Sequence, residues 1–92
     1  MPLTISAAQA LMKDISGWTL SSDAKKISKV FTFRNFSEAL AFTIKVGTLA
    51  EQEGHHPDIL LKWGSVTVEL STHAIGGLSK NDFILAAGID DL

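Results

Sequence analysis

The chain reads as an α+β domain in the order α-β-β-α-β-β-α, with a four-stranded antiparallel sheet and helices packed on one face. Three observations predict this. First, Ser6 with Gln9, Asn35 with Glu38 and Ser79 with Asp82 form capping-box pairs, each opening a stretch of apolar residues at helical spacing. Second, two pairs of alternating segments lie between those helices, each pair joined by a short polar or glycine-containing turn. Third, hairpins linked by a helix build an antiparallel sheet with its helices on one side.

The first helix carries Ile5, Ala8, Leu11, Met12 and Ile15 at helical spacing, with Ser6 as N-cap and Gly17 in the C′ role. Trp18 to Leu20 forms a short strand, and Ser21-Ser22-Asp23 a turn. Lys26 to Arg34 alternates, with Ile27, Phe31 and Phe33 to one side and Ser28, Thr32 and Arg34 to the other, as in a half-buried strand.

Asn35 caps a second helix that runs to Glu53 and stops at Gly54. Ala39, Phe42, Val46, Leu49 and Ala50 make its first apolar stripe. Leu40, Ile44 and Gly47 make a second, which Glu51 continues. A helix apolar over so wide an arc covers the sheet with one side and meets something else with the other. Pro57 pushes His56 to extended geometry. Asp58 to Trp63 is a strand, and Gly64-Ser65 a two-residue type II′ loop. On the returning strand Val66, Val68 and Leu70 face one side, and Thr67, Glu69, Ser71 and His73 the other. Gly76-Gly77 is a turn. The last helix, with a Leu78–Phe83 staple, turns Phe83, Ile84, Ala87 and Ile89 inward and frays at Asp90-Asp91-Leu92.

Ninety-two residues make one domain, spanning 1–92. A chain this short buries about 60–65% of the surface its unfolded form exposes, so oligomerisation is an expected source of stability. At 46% apolar and 20% charged residues, it folds compactly. A net charge of −2 leaves no basic stripe to neutralise phosphates, so no direct nucleic-acid contact is expected. The one basic cluster, Lys25, Lys26 and Lys29, reads as a solvated strand face. The absence of cysteine removes disulfides and thiolate metal sites and fits a reducing compartment. With neither a signal peptide nor 18 consecutive apolar residues, a cytoplasmic protein without membrane contact is expected.

All three histidines cluster around one turn and the strand after it: His55 and His56, before Pro57, and His73. Histidine is the side chain best suited to moving protons near neutral pH. Each candidate also has a plainer structural account. His55 and His56 sit at a helix C-terminus, where imidazolium complements the dipole. His73 suits a hydrogen-bonded strand-end histidine, Glu51 a solvated helix face, Trp63 packing before a turn, and Asp82 the capping partner of Ser79. Three imidazoles with an open position would suit zinc. Adjacent residues in extended backbone diverge, however, and no C-x-x-C, H-E-x-x-H or acidic cluster is present, so no metal is expected.

The joint spacing shifts the balance toward function. Glu51, three residues, His55-His56-Pro57, five residues, Trp63, nine residues, His73, eight residues and Asp82 fill every fixed position of a family pattern. The chain resembles the pterin-4a-carbinolamine dehydratases, also described as dimerisation cofactors of a homeodomain transcription factor. The resemblance covers Gly17 to Ala87 and is tightest from Phe36, through "FSEALAFTIKV", "EGHHPDI" and "GGLSKNDF". It implies a hydro-lyase that dehydrates 4a-hydroxytetrahydropterin to quinonoid dihydropterin without a cofactor, in tetrahydrobiopterin recycling. It further implies a homodimer or homotetramer. By resemblance His55 and His73 serve the departing hydroxyl, and His56 orients the pterin or acts as partner base. Glu51 supports an imidazole, Trp63 walls the pocket or stacks on the pterin, Asp82 fixes the last helix and Pro57 sets the direction of the histidines. Two other readings stand beside this one: a non-catalytic, coactivator-like binding module, and an enzyme for a related pterin such as a molybdopterin-linked step.

Overall fold

The computed structural model describes residues 1–92. The helices are α1 (Ile5–Leu11), α2 (Phe36–Glu53) and α3 (Lys80–Asp90), and the strands β1 (Thr19–Leu20), β2 (Ile27–Thr32), β3 (Asp58–Lys62) and β4 (Ser65–Leu70). The sheet order is β1-β2-β4-β3, every neighbouring pair antiparallel. Each hairpin therefore keeps its own strands adjacent, and the two join through the central β2–β4 pairing, with Ile27 opposite Leu70 and Thr32 opposite Ser65.

The alternation expected of the strands sets what they bury. Ile27, Val66, Val68 and Leu70 are fully buried on the face that meets α2 and α3, whereas Val30 and Leu60 stay exposed on the other. From α2 come Ala39, Val46 and Ala50, and from α3 Phe83, Leu85, Ala86 and Ile89. Each large aliphatic buried here contributes roughly 1.5–3 kcal/mol. In a domain this small, whose net stability is on the order of 5–15 kcal/mol, that core decides whether the chain folds.

Several local details differ from the sequence reading. The N-cap of α1 is Thr4, whose hydroxyl accepts from Ala7 N–H at 3.2 Å, so Ser6 lies inside the helix. That helix ends at Leu11 and passes into a single 3₁₀ turn, Met12–Asp14, well short of Gly17. Asn35 caps α2 as expected, but Glu38 reaches back to Arg34 N–H (3.0 Å) instead of Asn35, because it also pairs with the Arg34 guanidinium (2.7 Å). The β3–β4 loop is Trp63-Gly64, since Lys62 and Ser65 pair as strand residues. No residue of that loop has positive φ, so the type II′ expectation fails. Gly64 is required there by close approach: a Cβ would stand 3.2 Å from Phe33 O.

In α3 the inward residues include Leu85 and Ala86, while Ile84 and Ala87 are exposed. Lys29 was expected on a solvated face but lies on the inward one, in step with Ile27 and Phe31. Its ammonium donates to Asp90 Oδ1 (2.7 Å) and Ser16 O (2.8 Å) and sits 4.9 Å from the Phe31 ring centroid. Trp18 Nε1–H donates to the other Asp90 oxygen at 3.0 Å. Asp90 is thus clamped at a helix end that the sequence reading left fraying.

Candidate active site

The site begins at the end of α2. Gly54 adopts the left-handed region (φ 64°), and Gly54 N–H and His55 N–H return to Glu51 O and Ala50 O. This is the Schellman arrangement, which glycine adopts without a Cβ penalty. Past it His55 and His56 lie outside any helix or strand, and Pro57 leads directly into β3.

The two neighbouring imidazoles then diverge, and each meets its own carboxylate. His55 Nε2 lies 2.5 Å from Asp82 Oδ1, with the His55 side chain 16% exposed and Asp82 fully buried. His56 Nε2 lies 2.7 Å from Glu51 Oε2, with both side chains open to water at 64% and 79% exposure.

Asp82 owes its position to the capping box of α3. Its Oδ2 accepts from Ser79 N–H (2.9 Å) and from the Thr72 hydroxyl (2.8 Å), and Thr72 Oγ1 is also 2.8 Å from Ser79 Oγ. Oδ2 thus holds two donors and Oδ1 faces His55 Nε2, and the His55 tautomer with its proton on Nε2 is the one that donates to that oxygen. No buried side-chain nitrogen or oxygen lacks a partner.

His73 follows β4 and opens a 3₁₀ turn, His73–Ile75, so it lies past the strand on which the alternation had placed it. A shallow cleft of ≈ 250 Å³ is lined by Gly54, His55 and His56 on one side and Ser71, Thr72, His73 and Ala74 on the other. The three histidines therefore open onto one cavity, with Asp82 and Glu51 behind two of them. No three His, Asp or Glu side chains gather at a spacing that would hold an ion.

One sequence assignment needs correction. Trp63 was expected at the pocket wall, but it sits 68% exposed at the β3–β4 loop. The whole of β3 separates it from His56, about 17 Å at strand rise. Glu51, read as the support of an imidazole, meets that of His56. Sequence reasoning missed Thr72 and Ser71. The signal was available for Thr72: a hydroxyl residue next to His73, where the strand leaves the sheet beside the capping box of α3. A larger depression, ≈ 570 Å³, lies on the outer side of α2 at Ile44, Gly47 and Glu51 and holds no imidazole.

The α+β fold is shared with a solved pterin dehydratase. A transcriptional coactivator/pterin dehydratase from Brucella melitensis superimposes with a TM-score of 0.91 at 27% identity, covering 99% of this chain and 97% of that one. The sequence pattern described as pterin 4 alpha carbinolamine dehydratase matches residues 1–92, and the chain belongs to that family. Proteins provisionally named pterin-4-alpha-carbinolamine dehydratase are 53% identical in Marinobacter nauticus and 50% identical in Methylococcus capsulatus. The matches cover 98% and 99% of this chain, and 83% and 80% of theirs. The chain is accordingly a hydro-lyase. A pterin dehydratase-like RuBisCO assembly factor of the alpha-carboxysome shares the fold at 22% identity, with a TM-score of 0.69. No helix is long and apolar enough to cross a membrane.

Proposed function

We propose that the protein dehydrates 4a-hydroxytetrahydropterin by histidine general acid–base catalysis and so returns the pterin to tetrahydrobiopterin recycling. The observation that carries this reading is one cleft shared by three imidazoles, two of them backed by carboxylates.

The chemistry needs little else. The C4a–O bond breaks as the oxygen takes a proton from an acid, the N5 proton passes to a base, and a C4a=N5 double bond forms as water departs. Hydroxide leaves poorly unless protonated, and each placed proton donor or acceptor contributes about 10²–10⁴-fold. His55 and His73 serve the departing hydroxyl. His55 is suited to that task because Asp82 holds its Nε2 proton and stabilises the imidazolium. His56 orients the pterin or collects the N5 proton, with Glu51 stabilising the cation it then becomes. Pro57 keeps the two rings diverging from α2. Trp63, at the far loop, is given no role within one subunit.

Stopped-flow assay of freshly made 4a-hydroxytetrahydrobiopterin tests this directly. His73→Ala and the double variant His55→Ala, His56→Ala are each expected to lose about 10²-fold or more in rate. Full activity in either would overturn the three-histidine site.

The exposed row Phe36, Leu40 and Ile44 on α2 supports a second element of the reading, a homodimer or homotetramer built on that helix. Light scattering of Ile44→Glu against the parent tests it, with a fall in mass expected. The same row is what a coactivator-like binding role would use, and a pull-down distinguishes a foreign partner from a second copy. The lack of cysteine and of a membrane-crossing helix suits work in the cytoplasm.

A further inference from the structure

A second cleft, ≈ 290 Å³, lies on the opposite side of the Ser71–His73 segment. It shares those three residues with the histidine cleft and is otherwise bounded by Lys25, Lys26 and the Gly76-Gly77 turn. The sheet order explains the juxtaposition. β4 lies between β2 and β3, with Ile27 opposite Leu70 and Asp58 opposite Glu69. The residues just before β2, just after β4 and just before β3 therefore meet at one end of the sheet: Lys25-Lys26, Ser71–His73 and His55-His56. Two strand spacings, about 10 Å, separate the lysines from the paired histidines.

The lysines are held in place. Ser21 Oγ accepts from Lys25 N–H (3.2 Å) and Lys26 N–H (3.1 Å), and Asp23 Oδ1 accepts from Lys25 N–H (3.0 Å). Ala24, between Asp23 and the lysines, adopts φ 57°, a left-handed backbone that alanine disfavours and that these bonds hold in place. The Asp23 carboxyl is kept below its usual value by the Ser21 hydroxyl first and the Lys25 backbone N–H second. Lys26 pairs with Glu69 at 3.3 Å, both half-exposed, and Lys25 joins no ion pair. A phosphate dianion competes well for such loosely engaged ammonium groups.

We propose that Lys25 and Lys26 form an anion subsite for a phosphate ester at the end of the pterin's C6 substituent, favouring phosphorylated over neutral 4a-hydroxypterins. The inference rests on the dehydratase reading and extends it from the neutral biopterin to phosphorylated pterins with the same ring. C6 is two bonds from the reacting C4a, and a three-carbon substituent ending in phosphate extends about 9 Å from C4a at ordinary bond lengths. That reach matches the span from the histidines across Ser71–His73 to the lysines.

The test is the affinity ratio of two probes, a dihydroneopterin monophosphate and dihydroneopterin, titrated by fluorescence at low salt. The parent is expected to bind the phosphorylated probe about five- to tenfold tighter, an advantage that shrinks as salt rises. In Lys25→Ala, Lys26→Ala the ratio should fall to about one, and in Lys25→Glu, Lys26→Glu below one. A parent ratio of one, or a ratio that survives both variants, overturns the subsite. If the neutral 4a-hydroxypterin is still dehydrated in that case, only the subsite falls. If neither probe binds and neither pterin is dehydrated, the dehydratase reading falls with it.

Discussion

The two histidine–carboxylate pairs differ in almost everything except their chemistry. His55–Asp82 joins the end of α2 to the start of α3 across 27 residues and is nearly dry. His56–Glu51 spans five residues and stands in water. A carboxylate with no solvent to replace its partners depends on each donor it has, and losing one leaves an uncompensated charge. An exposed pair gains only a few tenths of a kcal/mol, because water and salt do the same work. On the proposed mechanism the inner pair serves both fold and chemistry, whereas the outer pair bears on chemistry alone.

The largest effect expected from this contrast is at Asp82. Asp82→Ala strands His55, Thr72 and the N–H of Ser79, and should cost about 3 kcal/mol or more in urea unfolding, most of what so small a domain has. Asp82→Asn separates the two roles. The amide keeps the shape but presents an N–H to one of the donors now facing Asp82. We expect a folded protein with dehydration slowed about 10²-fold and an altered His55 tautomer in ¹⁵N NMR. An unchanged tautomer with full rate would break the contrast.

Thr72→Val comes next. It removes one donor from Asp82 and the partner of Ser79 Oγ, for about 1–2 kcal/mol and a several-fold loss of rate. Glu51→Gln should leave the urea midpoint nearly unchanged, within about 0.5 kcal/mol, and lower the rate less than Asp82→Asn does. If Glu51→Gln proves the more destabilising of the two, the inner–outer distinction is wrong.

The smallest effect concerns acid. The Arg34 guanidinium and N–H hold the Glu38 carboxyl below its usual value. A carboxyl lowered in the folded state stabilises above its unfolded pKa, and that contribution is lost as pH falls through the folded value. Arg34→Ala should therefore flatten the stability–pH curve slightly on the acid side of the ordinary carboxylate range, as thermal melts across that range would record.

What the sequence disclosed followed from local rules. Asn35, Gly54 and the Ser79–Asp82 box act over three or four residues, and the structure places α2 and α3 where those signals put them. Strand alternation identified Val66, Val68 and Leu70 as core because side-chain direction has period two. Contacts between distant segments were not legible. Nothing near Lys29 announces Asp90, and nothing near His55 announces that its carboxylate lies 27 residues on. Helical spacing placed Glu51 beside an imidazole without saying which, and the turn after Gly54 gives it His56. Trp63 was mislaid because a motif fixes separation along the chain, and a straight strand converts that separation into distance.

The Asp90 clamp bears on the order in which the molecule is completed. Its bond to Trp18 links residues 72 apart, and its bond to Lys29 links residues 61 apart. Until residue 90 has emerged from the ribosome, that ammonium faces an apolar surface with no counter-charge. Closing so wide a loop costs more entropy than joining neighbouring segments. A chain ending at Gly88 is therefore expected to hold an unlatched sheet, and a protease-sensitivity assay should show it cut faster than the chain that keeps Asp90.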